Sequence, residues 1–71
     1  MLSIEDVVSI KQDYCPADIH SGDTGVVVFA FTEPEEGYEV EFLDEEGYTK
    51  TILTLGIDEV RVAYTEKNSQ P

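Results

Sequence analysis

Three observations predict an all-β fold for this chain, a small barrel of five short strands. Turn signals recur at intervals of about ten residues, the segments between them are rich in β-branched and aromatic side chains, and no apolar stripe of helical period occurs anywhere. A chain of 71 residues with 41% hydrophobic content has room for one core, so a single domain over residues 1–65 is expected, followed by a tail at 66–71. Among all-β architectures of this size a five-stranded barrel is economical, because rolling the sheet leaves little exposed edge.

The first strand falls between Asp6 and Ile10, where Val7, Val8 and Ile10 are β-branched and too closely spaced for one face of a helix. Asp13-Tyr14-Cys15-Pro16-Ala17-Asp18 reads as a loop, since Pro16 lacks an amide hydrogen and holds Cys15 extended. Gly22-Asp23-Thr24-Gly25 is a turn signal, with a glycine on each side of a polar pair to take positive φ. It launches the second strand, Val26-Val27-Val28-Phe29-Ala30-Phe31, which is apolar on both faces. Such a run predicts a central strand buried from two sides, or one whose outward residues are covered by a loop or a partner.

After the connection Glu33-Pro34-Glu35-Glu36-Gly37, the residues Tyr38, Val40 and Phe42 alternate with Glu39 and Glu41 in strict period two. This places one face of the third strand in the core and the other in water. Asp44-Glu45-Glu46-Gly47 is a hairpin loop in which Gly47 supplies the left-handed position, and Tyr48–Leu55 is the returning strand. Gly56-Ile57-Asp58-Glu59 predicts a single 3₁₀ turn before the last strand, Val60-Arg61-Val62-Ala63-Tyr64. The tail after it carries no large apolar residue and is expected to fray.

Sixteen Asp and Glu against four Lys and Arg give a formal charge of −12, which repels the phosphates of nucleic acid and the anionic face of a membrane. The expected partners therefore include no nucleic acid and no membrane. A dense field of carboxylates speeds encounter with a basic protein. With one cysteine, Cys15, no disulfide forms within the chain. Residues Met1-Leu2-Ser3-Ile4-Glu5-Asp6 have no basic leader region and no long apolar run, and the expected location is the cytoplasm.

Residues that could carry chemistry are few. Cys15 and His20 flank a proline-containing loop and could meet, but no third member of a catalytic set is apparent. One His and one Cys cannot complete a tetrahedral zinc set without carboxylates, and Asp44-Glu45-Glu46-Gly47 lacks the alternate spacing of a calcium loop. Gly22 and Gly25 lie beside Asp23 with no following lysine or helix to cradle phosphate. Tyr38, Tyr48, Tyr64, Phe29 and Phe31 could line a peptide or cation groove, although so small a core needs most of its aromatics for packing. The expectation is a binding protein with no catalytic, cofactor or metal residues.

The feature that rises furthest above a solubilising surface is the segment from Glu33 to Glu46. There Glu33, Glu35, Glu36, Glu39, Glu41, Asp44, Glu45 and Glu46 supply half of the chain's 16 acids, with no Lys or Arg among them. Alternation puts Glu39 and Glu41 on one face, and the loops at either end add charge toward a continuous negative patch that Lys50 on the returning strand could partly neutralise. Crowded like charges repel, so a basic ligand is a physical reason for holding them together. These eight residues are the candidate partner-binding set. A different use of the fold would bury the outward apolar residues of Val26–Phe31 against a larger assembly, as a structural or accessory subunit.

The ordered blocks Asp6-Val7-Val8, Gly22-Asp23-Thr24-Gly25-Val26-Val27, Gly37-Tyr38-Glu39-Val40-Glu41-Phe42, Leu53-Thr54-Leu55 and Asp58-Glu59-Val60-Arg61 resemble a small bacterial family, domain of unknown function four-nine-two-six. The resemblance spans residues 4 to 63 and implies an SH3-like barrel. Its members' association with genes for toxin-like proteins implies an antitoxin or immunity role, neutralising a basic partner encoded nearby. Two departures stand out: His20-Ser21 replaces residues that are often basic, and Gly56 replaces a common proline, which is expected to loosen that turn.

Overall fold

The computed structural model describes residues 2–64, the last of them by its backbone alone, so the tail expected at 66–71 and the Tyr64 ring lie outside the described residues. Five strands run in chain order: β1 (Val7–Ile10), β2 (Thr24–Phe31), β3 (Gly37–Leu43), β4 (Thr49–Gly56) and β5 (Val60–Tyr64). Two 3₁₀ turns, η1 (Cys15–Ala17) and η2 (Ile57–Glu59), are the only helical elements among the described residues. The expected strand positions hold to within one or two residues. The η1 turn, by contrast, lies in a segment whose residues announce only a loop.

All neighbouring strands are antiparallel, in the order β4-β3-β2-β1-β5. One sheet without a second layer can bury its apolar side only by rolling around it. It does so here: Val8 and Ile10, Val27, Val40 and Phe42, Leu55 and Val60 come from all five strands and meet in one core, which Tyr38 and the loop residue Ile19 complete. The result is a small five-stranded SH3-like barrel, with its two edge strands β4 and β5 joined through η2.

The strictly alternating strand behaves as its pattern predicts: Tyr38, Val40 and Phe42 are buried, while Glu39 and Glu41 are partly exposed on the other side. β2 departs from its expected cover. It is central in the sheet, yet Val28 and Phe29 remain exposed, Phe29 at 55%. The cause is a bulge between Val27 and Phe29, which interrupts the alternation and leaves two consecutive apolar side chains outside.

The two glycines of the Gly22–Gly25 signal serve different ends. Gly22 has φ +94° and makes the turn, but Gly25 is buried in β2 without positive φ. A Cβ there would lie 2.6 Å from Val40 Cγ1 and 2.9 Å from the Glu41 carbonyl oxygen, so the absent side chain lets β2 close on β3.

Candidate functional site

The β3 hairpin is organised around its loop. Gly47 takes φ +90°, as the sequence predicts, and its N–H donates to the Asp44 carbonyl at 3.0 Å. The Asp44 carboxylate accepts from the backbone N–H groups of Glu46 and Tyr48, each at 2.9 Å, so this acid closes the turn. Glu45 and Glu46 are exposed and border an open depression with Leu43, Asp44 and Lys50.

On the outward face of the sheet, register decides which side chains flank each glutamate. Glu39 stands between Phe29 of β2 and Thr54 of β4, and Glu41 stands between Val26 and Ile52. The Thr54 hydroxyl donates to the Glu39 carboxylate, reaching its two oxygens at 2.9 and 2.8 Å, and the Thr49 hydroxyl donates to Glu41. Each carboxylate is thus oriented by a neutral hydroxyl that leaves its charge uncompensated. Beyond this row the Phe29 and Phe31 rings stack at 6.4 Å, and Phe31 lies over Gly37, where a Cβ would approach its Cζ to 2.7 Å.

The third group is at the other end of β3. Glu33, Glu35 and Glu36 are exposed in the β2–β3 connection, whose Glu33–Pro34 peptide is cis. Glu36 borders a groove of about 360 Å³ lined also by Leu2, Tyr38, Ile57, Val60 and Val62. The eight candidate acids therefore lie along β3 as two loop groups at its ends with Glu39 and Glu41 on the face between them, spread over a strand that rises about 3.3 Å per residue, roughly 20 Å from its first residue to its last.

Among the described residues, Lys50 forms no ion pair with these acids. Its ammonium donates to the Asp18 carbonyl at 2.8 Å and lies 3.5 Å from the Asp18 carboxylate, on the β1–β2 connection. Among the described residues, the ion pairs all involve Asp18 or Asp23.

The other candidates do not converge. His20 is exposed between Asp18 and Asp23, with ring nitrogens 3.7 and 3.9 Å from their carboxylates, and among the described residues no hydrogen bond joins it to the exposed Cys15. The aromatic set is dispersed too: Tyr38 is in the core, Tyr48 is exposed at the hairpin loop, and Phe29 and Phe31 lie on the outward face. Among the described residues no three His, Cys, Asp or Glu side chains are grouped to hold a metal ion, and no helix is long and apolar enough to cross a membrane.

Sequence reasoning missed the Tyr14–Glu59 pair. Tyr14 Oη donates to Glu59 Oε2 at 2.7 Å, and the Gly56 N–H donates to Glu59 Oε1 at 2.7 Å. The Gly56 amide, then the Tyr14 hydroxyl, hold the Glu59 carboxyl below its ordinary range; burial, then the Glu59 contact, push the Tyr14 phenol above its own.

A family model matches residues 4–62, from the approach to β1 into β5. The chain belongs to the family described as Domain of unknown function (DUF4926). No curated protein and no solved structure matches it. The match takes in β3 with both of its loops. In this DUF4926 member the Gly56 amide makes a hydrogen bond to Glu59 that a proline has no hydrogen to make.

Proposed function

We propose that this barrel is a non-enzymatic protein-binding module of the cytoplasm, of antitoxin or immunity type, whose acidic β3 hairpin docks on a basic protein and blocks its working cleft. The observation that carries this reading is the pair Glu39 and Glu41, partly exposed on a rigid sheet and oriented by threonines, with no cation in an ion pair with either among the described residues. The formal charge of −12 supports it through long-range attraction of a basic surface. Coexpression with the product of the adjacent gene tests it. A complex should copurify at low salt, weaken as salt rises, and be lost when Glu39 and Glu41 are changed to Lys. No complex at low salt, or one indifferent to both salt and charge reversal, would overturn the proposal.

A second reading, an accessory subunit of a larger assembly, is favoured by the exposure of Val28 and Phe29 on a central strand. It predicts a complex whose stability depends on Phe29 and is insensitive to salt.

A further inference from the structure

The acidic pair and the uncovered apolar residues are one surface. Val26 and Ile52 flank Glu41 on either side, Phe29 flanks Glu39, and Leu43 follows Glu41 on the same face of β3. Phe29, Ile52 and Leu43 are 55%, 51% and 50% exposed. Neighbouring strands are about 4.8 Å apart, so each carboxylate stands in a row with apolar side chains within van der Waals reach of anything that contacts it.

We infer that this face binds an amphipathic helix of a basic partner, one carrying two arginines a single turn apart between apolar side chains; the inference rests on the proposed binding of a basic protein. Glu39 and Glu41, two residues apart on a strand, are about 6.6 Å from each other, close to the rise of about 6 Å between helical positions four apart. The face of a sheet takes a helix, whereas an added strand would need an edge. Arginine fits better than lysine because its weaker hydration suits a site walled by Phe29 and Ile52, where the carboxylates carry no cation among the described residues. A second copy of the chain is the wrong occupant, since it would bring a like charge of −12 against these carboxylates.

The test uses the full 71-residue chain and a short synthetic amphipathic peptide with two arginines one turn apart flanked by leucines, read by fluorescence anisotropy. Two control peptides replace the arginines with lysine or the leucines with serine. The arginine–leucine peptide should bind about tenfold more tightly than either control, since each control removes one of the two matched features. Phe29→Ser with Ile52→Thr in the protein should abolish its advantage over the serine peptide, and Glu39→Gln with Glu41→Gln should abolish its advantage over the lysine peptide. Should the Phe29 change impair folding, judged by circular dichroism, Ile52→Thr alone serves. Equal binding of all three peptides would overturn the inference while leaving electrostatic docking intact. Binding lost through Glu45→Gln with Glu46→Gln, and unaffected at Glu39 and Glu41, would overturn it by moving the site to the loop. No binding of any peptide at low salt would overturn both this inference and the basic-partner reading.

Discussion

Two groups of carboxylates on this barrel differ in what they serve. At the η2 end and around the β1–β2 connection, acids are built into the fold: Glu59 ties Gly56 to Tyr14, Asp13 accepts from the Ser21 amide, Asp23 accepts from the His20 amide, and Asp18 pairs with Lys50. Along β3, Glu39 and Glu41 accept only from threonine hydroxyls of the adjacent strand, and their charges meet no cation among the described residues. The same residue types thus do opposite work. Near η2 the partner is a backbone or phenol donor fixed by the fold, so removing the acid leaves a donor unsatisfied; on β3 the acid can be removed with little loss to the barrel.

The scale for that contrast is the inward row of β3. Phe42, adjacent to Glu41 and 2% exposed, should cost about 3–5 kcal/mol when changed to Ala, through lost burial and the cavity left behind. Urea unfolding measures it, and a cost near that of a surface change would mean that β3 does not pack as described.

A smaller effect is expected at Glu59, where Glu59→Gln should destabilise by about 1 kcal/mol, the usual net value of a hydrogen bond of this kind. Because the Glu59 carboxyl is held below its ordinary range, its contribution is present above the unfolded value and lost as pH falls through the folded one. The stability gap between wild type and Glu59→Gln should therefore close under acid conditions. Tyr14, raised by burial and by Glu59, has the opposite sign, its contribution being lost as pH rises through the folded value. A gap unchanged from neutral to low pH would remove Glu59 from the structural group.

The smallest effect sharpens the comparison most. Glu39→Gln with Glu41→Gln should change stability by no more than about 0.5 kcal/mol, or raise it slightly by relieving repulsion at −12 net charge. A marked loss in the same urea assay would place these glutamates with Glu59 as part of the fold.

Much of this was legible in the residues. Period-two alternation in Tyr38–Phe42 is a local property of the chain, as is the demand of Gly47 for positive φ, and both hold in the fold. The candidate site was legible only in part. Composition and alternation located its eight acids, in two loops and on one face, but gave no hint that Asp44 closes a turn or that threonines orient Glu39 and Glu41. The bulge that exposes Val28 and Phe29 has no signature in a run of apolar residues, because its position depends on how β2 registers with β3.

By itself the sequence determined the all-β class, the five strands, the single core and the outward direction of Glu39 and Glu41, since these follow from short-range periodicity and from the length available to bury a core. Tertiary structure alone decided the neighbours. Thr54 reaches Glu39 across 15 residues of chain, Lys50 reaches Asp18 across 32, and Tyr14 reaches Glu59 across 45. Such pairings arise from strand register and from the rolling of the sheet, which no local pattern encodes. They separate the carboxylates that hold the barrel together from those it presents.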